Sequence, residues 1–414
     1  MPRHTDNHWL EVIAGAVTAG IETYDVKTYG ALGDGTTDDT SAIQAALNTA
    51  AGAGGGVVFL PTGTYITGNL AIDSYVTLAG TGYGSVLSAK TGTTAVLSMA
   101  HTATTVQTGV RDLKINCNYR TSCYGIKYDA NGSTSAARHQ FNNVMVINAG
   151  ADAYWFDNGI GETYLTNCRA FNALGHGFNV KIGMTDSHFV NCMAGACAGN
   201  GFEIAGNDDF FTACKAYWSG FNSQASTWNT TSIGFHLSSV SYDQLLGCMA
   251  EQSALHGFDI NNCSQVTLVG CDATSNSAGT TGGVGFNTNT VTHSSITGCA
   301  GSNNGFLSPG SQAYGVQVAG TQTGLLLMGN TVTGTSGEFN YVSGFGYVLL
   351  SNSNIDFSGI PTKVTSSLQF GTNTTGAGSA SLGTNSPATT NTGPYTWIQA
   401  KSSDNSTVYI PAWK

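Results

Sequence analysis

Short runs of alternating hydrophobic and polar residues cover most of the chain, and they are separated by Gly, Asn and Ser. One type of run ends in Cys, as in "YLTNC" at Cys168 and "HFVNC" at Cys192, and it recurs at intervals of roughly two dozen residues. A second type is centred on Gly-Phe and lies between the first, as in "HGFNV" from His176 and "NGFEI" from Asn200. Alternation of period two predicts β-strands, and a fixed repeat of this length predicts a solenoid of stacked coils.

The repeats therefore predict an all-β parallel β-helix, in which equivalent residues of successive coils form rows about 4.8 Å apart. The recurring cysteines are Cys168, Cys192, Cys214, Cys248, Cys271 and Cys299. We expect them to form an inward ladder, because free Cys behaves as a small hydrophobic residue. Disulfides or a zinc site are the alternatives, but no Cys-x-x-Cys spacing occurs.

The stretch "GDGTTDDTSAIQAALNTA" near the N-terminus predicts a helix. Thr40 or Ser41 is expected to cap it, and Ser41 with Gln44 matches a capping box. Such a helix would lie across the open apolar end of the first coil and cover its strand edge.

"YDVKTYGALGDGTTDDTSAIQAALNTA", followed by "GGGVVFLPTGTYI", resembles the N-terminal signature of the pectate-lyase-like superfamily. The resemblance covers about Tyr24 to Gly80. It implies a single-stranded right-handed parallel β-helix with an N-terminal capping helix and a small C-terminal β region. The superfamily includes polysaccharide lyases, glycoside hydrolases, epimerases and phage tailspike depolymerases, so the resemblance does not select one reaction. It implies a bacterial surface or extracellular polysaccharide as partner, a homotrimer, and a location in a virion tail or outside the cell.

Charge and hydropathy limit the partners. The chain has 14 Lys and Arg against 24 Asp and Glu, a net charge of −10, which disfavours a nucleic-acid partner. No apolar run approaches the length of a membrane span, so we expect no membrane insertion, and the N-terminus lacks the apolar core of a signal peptide.

The sequence predicts four segments. Residues 1–23 are an N-terminal extension, residues 24–110 hold the capping helix and the first coils, and residues 111–337 form the regular coils. Residues 338–414 contain a last coil, a Gly-, Ser- and Thr-rich linker over 370–394, and a C-terminal hairpin or oligomerisation segment.

The residue after each Gly-Phe pair is expected to point outward, because the Phe points inward. This row contains Asn179, Glu203, His236 and Asp259, and Trp155 lies near its start. Glu203 and Asp259 are two coils apart, about 10 Å if the rise is regular. This spacing permits the separation of about 6.5 to 9.5 Å that inverting glycosidases need for a water between base and sugar. We predict that these two carboxyls are acid and base in unresolved order, that His236 tunes them or binds substrate, and that Trp155 and Asn179 bind substrate.

One repeat is about ten residues too long, and its excess carries Trp218 and Trp228. These aromatics either form a platform for sugar rings or pack under their own loop or between subunits. Lys181 is a further candidate for binding substrate.

A second acidic row, Glu162, Asp186 and Asp208 with Asp209 beside it, offers a rival catalytic centre, a cation site or a set of turn residues. A lyase would have to neutralise the substrate carboxylate, yet no Lys or Arg occurs from Ala216 to Thr362. We therefore expect a hydrolase without a cofactor or metal. A lyase, for which calcium is possible, a non-catalytic glycan receptor-binding spike and a structural virion component are the alternatives.

Overall fold

The computed structural model describes residues 22–100, 105–130, 136–157, 159–302, 312–341, 348–351, 373–374, 396–401 and 407–412. The predicted N-terminal extension up to residue 21, Trp413 and nearly all of the predicted linker lie outside these residues. The contacts divide the chain into two units, Met1–Asp356 and Phe357–Lys414.

The first unit is a right-handed parallel β-helix, as predicted. One side is an 11-stranded parallel sheet, here called sheet 1. In chain order its strands are Leu70–Ile72, Ala95–Met99, Tyr124–Asp129, Tyr154–Asp157, Phe178–Val180, Phe202–Ile204, Phe235–Ser238, Phe258–Asn261, Val284–Asn289, Tyr314–Ala319 and Gly337–Tyr341.

The remaining strands of the coils form a 23-stranded sheet, here called sheet 2. Its first strands are Thr23–Asp25, Asp34–Asp38, Gly56–Phe59, Gly63–Thr67, Val76–Ala79, Ser85–Ala89, Gly109–Asn116 and Gln140–Ile147. In the regular coils a strand lies on each side of the Cys position: Tyr164–Thr166, Arg169–Phe171, His188–Val190, Met193–Gly195, Phe210–Thr212, Lys215–Tyr217, Gln244–Leu246, Met249–Glu251, Thr267–Val269, Asp272–Thr274, Ser295–Thr297, Ala300–Gly301, Leu325–Met328, Thr331–Val332 and Val348–Ser351.

Two inward ladders fill the core. The phenylalanines of sheet 1 stack face to face from coil to coil, with ring centroids 4.5 Å apart for Phe202 and Phe235. The cysteines form the second ladder, and all ten in the chain are free and buried. Each thiol of this ladder donates to a carbonyl of the preceding coil, as Cys214 does to Phe189 O at 3.3 Å. The prediction of an inward Cys ladder is therefore confirmed.

The predicted helix spans Thr40–Gly52 and follows a short 3-10 helix at Val26–Tyr29. Its apolar face is buried through Ile43 and Leu47. Gln44 covers the edge strand of sheet 1, because its amide accepts from Ala71 N at 2.9 Å and donates to Ala71 O at 3.0 Å. The helix thus covers the open end of the solenoid as predicted.

The predicted helix cap is wrong. The N-cap residue is Asp39, and its side chain makes no capping hydrogen bond. Its carboxylate accepts instead from Leu32 N at 2.6 Å and Gly33 N at 3.0 Å, so it braces the preceding loop. The Thr40 side chain does not cap the helix either, because its Oγ1 accepts a hydrogen bond from Gly68 N, next to the edge strand of sheet 1, at 2.8 Å.

The second unit contains an antiparallel sheet of three strands, Asn373–Thr374, Thr396–Lys401 and Thr407–Ala412. The last two strands pair in register from Thr396 with Ala412 to Lys401 with Thr407. This is the hairpin that the alternation in the C-terminal segment predicts.

Candidate active site

A row of polar side chains follows the outer surface of sheet 1. Parallel pairing aligns the residues after each Gly-Phe coil by coil. They are called the polar row, which consists of Asn179, Glu203, His236, Asp259, Asn287 and Gln317. The flanking Phe side chains are fully buried, so the row lies on the outside as the alternation predicts.

The centre of the row is a carboxylate, an imidazole and a second carboxylate in direct succession. His236 Nδ1 lies 2.9 Å from Glu203 Oε2, and His236 Nε2 lies 3.6 Å from Asp259 Oδ2. The side chains of Glu203, His236 and Asp259 keep 18, 22 and 10% of their surface exposed, so all three can be reached from solvent.

This geometry corrects the expected arrangement of the two carboxyls. A gap that holds a water was expected between Glu203 and Asp259. The imidazole of His236 occupies that gap, because the coil between the two acids contributes a ring long enough to reach both neighbours. The two carboxyls are therefore linked by contacts with His236 and do not face each other across an empty space.

Neighbouring groups fix Glu203 from the start of its strand. Asn200 Nδ2 donates to Glu203 Oε2, the oxygen that also faces His236. Asn200 Oδ1 accepts from Ile233 N at 2.7 Å, and Asn200 N donates to His176 Nδ1 at 3.0 Å. Sequence analysis missed Asn200 as a site residue, although its place immediately before Gly-Phe, shared with His176 and His256, was the available signal.

The two protonation equilibria at the centre favour an ion pair. Burial raises the pKa of the Glu203 carboxyl, but the hydrogen bond and the charge of His236 outweigh burial, and the net pKa of Glu203 is lowered. Burial lowers the pKa of the His236 imidazole, whereas the hydrogen bond to Glu203 and the charges of both acids raise it, and the net pKa of His236 is raised. The two opposite shifts both favour the ion pair of ionised Glu203 and protonated His236.

The far side of the row is a chain of amides. Asn287 Nδ2 donates to Asp259 Oδ1 at 2.7 Å, and Gln317 Nε2 donates to Asn287 Oδ1 at 3.0 Å. These bonds hold Asp259 through Oδ1. Its Oδ2 is thereby directed to the imidazole.

The near side of the row differs from the prediction at one position. Asn179 is only 2% exposed, and its Nδ2 donates to Asp152 Oδ2 at 2.8 Å. The structure thus gives Asn179 a structural role in place of the predicted contact with substrate. Trp155 is the next residue along the row, half-buried, with Lys127 Nζ 4.4 Å from its ring centroid and the Tyr124 ring 5.8 Å away.

The inserted aromatics form a small antiparallel hairpin, Phe221–Asn222 with Thr227–Trp228. The Phe221 ring contacts both indoles, with its centroid 5.6 Å from that of Trp218 and 5.3 Å from that of Trp228. Trp218 Nε1 also donates to Gln252 Oε1 at 2.6 Å. The aromatics pack on one another and remain half-buried, so the structure realises the packing alternative while leaving part of each ring at the surface.

Lys181 follows the end of strand Phe178–Val180 and is half-buried in the loop there. It is in the same coil as Asn179 but beyond the strand, so the structure does not bring it into the polar row. Its predicted contact with substrate stays a prediction.

The second acidic row lies at a turn and not on sheet 1. Asp208 is exposed and has a left-handed backbone with φ of 60°. Asp209 is fully buried, and its Oδ1 accepts from Ser187 N at 2.9 Å. The structure therefore gives Asp209 a role in holding the backbone, and its buried carboxyl cannot contact a polymer in this fold. The predicted catalytic role of Asp208 stays a prediction.

Within the described residues, no group of three or more His, Cys, Asp or Glu side chains is arranged to hold a metal ion. Among the same residues, no helix is long and apolar enough to cross a membrane.

Comparison with known proteins supports the fold. Residues 23–219 match the family described as rhamnogalacturonase A/epimerase, pectate lyase-like. The solved A-module of the mannuronan C-5 epimerase AlgE4 from Azotobacter vinelandii superposes with a TM-score of 0.63 at 21% identity, over 80% of this chain and 100% of that one. The chain therefore has the parallel β-helix fold and is similar to the pectate-lyase-like family over residues 23–219, and the resemblance seen in the sequence is confirmed.

Two curated relatives are similar over shorter stretches. Mannuronan C5-epimerase AlgE5 from Azotobacter vinelandii is 41% identical over 108 residues, 23% of this chain and 11% of the relative. The tail spike protein of Shigella phage Sf6 is 32% identical over 136 residues, 30% of this chain and 22% of the relative. The chain is thus similar to both an epimerase and a tailspike, and it matches less than a quarter of the length of either.

Proposed function

We propose that this chain cleaves a polysaccharide by hydrolysis at the polar row, with Glu203, His236 and Asp259 as its catalytic centre. The observation that carries the proposal is the contact of one imidazole with two carboxylates on an accessible sheet surface. The family and both relatives support a polysaccharide as the substrate class.

The geometry suggests a role for each group. His236 Nδ1 is held by Glu203, so the ring has a fixed orientation and a raised pKa. His236 Nε2 has Asp259 Oδ2 only at 3.6 Å, too far for a hydrogen bond, and it therefore has a proton to give. We assign His236 as the general acid that protonates the leaving glycosidic oxygen.

Asp259 is a second negative group beside the acid. Its Oδ1 is occupied by Asn287, and its Oδ2 lies 3.6 Å from His236 Nε2, closer than the roughly 6.5 to 9.5 Å at which a general base activates a water on the opposite face of the sugar. Asp259 therefore stabilises the positive charge that develops on the sugar, and the attacking water releases its proton to solvent. Glu203 stays ionised and stabilises the imidazolium. These roles revise the expectation that Glu203 and Asp259 are the acid and the base, because the imidazole and not Glu203 has the accessible proton.

Elimination on a uronate polymer is the second candidate, and the similarity to a mannuronan epimerase favours it. Elimination requires neutralisation of the substrate carboxylate. At the centre of the row two carboxylates would repel that group, with only the single His236 imidazole to oppose them. Lys127, the nearest Lys or Arg on the same face of sheet 1, lies beyond both Trp155 and Asn179. The local charges thus favour hydrolysis.

The experiment is incubation with a panel of bacterial capsular and exopolysaccharides, followed by mass analysis of the products. Hydrolysis adds one water per broken bond and creates a reducing end, whereas elimination leaves an unsaturated sugar that absorbs in the ultraviolet. We expect His236→Gln and Asp259→Asn each to lower kcat by about 10²- to 10⁴-fold.

Glu162→Gln is the matched control, since Glu162 is an exposed acid paired with Arg138 at 2.8 Å and lies away from sheet 1. It should cleave like the unchanged chain. Full activity in both His236→Gln and Asp259→Asn would refute the site. Binding without any product would favour the receptor-binding alternative.

We also propose that the protein works in a virion tail or outside the cell and that it is a homotrimer. The similarity to the Sf6 tail spike protein supports both statements. Sedimentation equilibrium of the full chain tests the second, and a mass equal to one chain at all concentrations would contradict it.

A further inference from the structure

A second aromatic arrangement lies on the outer surface of sheet 2, away from the polar row. Tyr164, His188 and Phe210 occupy equivalent positions in three successive coils. The rings of Tyr164 and His188 are parallel within 1° with centroids 5.0 Å apart, and those of His188 and Phe210 are parallel within 8° at 4.8 Å. The three rings are one continuous stack.

The stack ends at Tyr164 without another ring. The preceding coils have Gln140 and then Gly109 at this position. A depression of about 310 Å³ lies at this end, lined by Gln140, Phe141, Asn142, Tyr164 and Thr166. One face of the Tyr164 ring is covered by His188, and the side chain as a whole is still 46% exposed, so its other face borders the depression.

The lining has the chemistry of a sugar site. An aromatic face offers a flat apolar surface to the C–H side of a sugar ring, while the Gln140 and Asn142 amides and the Thr166 hydroxyl can bond sugar hydroxyls as donors and acceptors. No charged side chain lines the depression, which favours an uncharged ring over a carboxylate. Its volume is at the small end of the range for ligand sites, roughly 300 to 1,000 Å³, and suits a short stretch of a glycan.

We infer that Tyr164 and this depression form a second glycan-binding site, in which a sugar ring continues the stack of Tyr164, His188 and Phe210. The site belongs to a different sheet from the polar row, and its lining contains no Asp, Glu, His, Lys or Arg side chain. It therefore holds a polymer without cleaving it. This inference does not depend on the proposed hydrolysis.

The test is affinity electrophoresis of the full chain in native gels that contain alginate, dextran, xylan or xanthan. All variants have the His236→Gln background, so cleavage is too slow to remove the polymer. We expect retardation by at least one polymer and roughly tenfold weaker binding in Tyr164→Leu, which keeps an apolar side chain but removes the ring face. Tyr164→Phe should bind normally.

The matched control is Val269→Thr, an isosteric change at an exposed residue of the same surface, 41% exposed and remote from the depression. It should not alter binding. The inference is overturned if none of the four polymers retards the chain, or if Tyr164→Leu binds as tightly as Tyr164→Phe. It is also overturned if Tyr164→Leu changes the sedimentation mass instead of glycan binding, because the surface would then be a contact between copies of the chain.

Discussion

The buried carboxyl of Asp243 provides a test of the packing between coils. Asp243 is fully buried, and its Oδ1 accepts from Asp209 N at 3.0 Å. Its Oδ2 has no hydrogen-bond partner among the described residues. Replacing Asp243 with Asn keeps the shape and the oxygen that accepts from Asp209, but it removes the titrating proton.

The size of the effect follows from the pKa. Burial, with a smaller contribution from the charge of Asp208, raises the pKa of Asp243 from 3.8 to about 8. The folded state therefore holds a proton that the unfolded state releases. The protonated Asp243 carboxyl makes its full contribution to the free energy of unfolding below about pH 4. This contribution is lost as the pH rises toward 8, at about 1.4 kcal/mol per pH unit. Raising the pH from about 5 to about 7 should therefore lower the free energy of unfolding by on the order of 3 kcal/mol through Asp243 alone.

Urea unfolding of the unchanged chain, Asp243→Asn and Asp208→Asn at about pH 5 and pH 7 measures this loss. The decrease in the free energy of unfolding between the two pH values should be smaller in Asp243→Asn by about 2 to 3 kcal/mol. Asp208→Asn makes the same chemical change at an exposed neighbour. It removes only the smaller contribution to the raised pKa of Asp243 and should keep most of the decrease. An equal decrease in Asp243→Asn and the unchanged chain would refute the reasoning.

Three further predictions concern the active centre, the core and the strand spacing. If the active form has Glu203 ionised and His236 protonated, kcat/KM should follow a bell-shaped pH profile. Its alkaline limb should lie above pH 6.5, the ordinary pKa of histidine, because the pKa of His236 is raised. A pH profile of His236→Gln that keeps this limb would contradict the assignment. All ten thiols are buried, so a thiol reagent should label the native chain slowly and all ten sites after denaturation; rapid labelling of several thiols in the native chain would argue against the Cys ladder. An Ala at Gly234 would place its Cβ 2.6 Å from Gly257 O, so we expect Gly234→Ala to lower the free energy of unfolding by about 1 to 3 kcal/mol. Gly52 has open space around it, so Gly52→Ala should not lower that free energy. Equal urea midpoints for the two variants would contradict this.

Repetition made much of the fold predictable. A run that alternates with period two fixes which side chains face inward, and the repeat fixes which residues become neighbours. The Phe and Cys ladders and the alignment of Glu203, His236 and Asp259 all follow from those two facts. The Gly before each Phe also recurs because of the stacking, since a Cβ at this position would clash with the backbone carbonyl of the next coil.

The turns and side-chain torsions could not be predicted in the same way. Asp208 and Asp209 are consecutive, yet the left-handed backbone of Asp208 exposes one carboxyl and buries the next. Alternation does not apply through such a residue. The bridge formed by His236 depends on how its ring rotates toward both neighbours, and the burial of Asn179 depends on Asp152 in the preceding coil, neither of which is encoded in the repeat.

A stacked solenoid brings equivalent side chains about 4.8 Å apart, so acids that recur in one row repel one another unless something intervenes. The chain meets this problem in three different ways. Glu162, Asp186 and Asp208 stay exposed to water at turns, Asp209 and Asp243 lie inside where burial keeps their pKa values raised, and Glu203 and Asp259 are separated by an imidazole that carries the opposite charge. Only the third solution places a titrating histidine between two acids at an accessible surface, where it has a proton to exchange. For that reason the chemistry is expected at His236 and its two neighbours, although the other acids are equally prominent in the sequence.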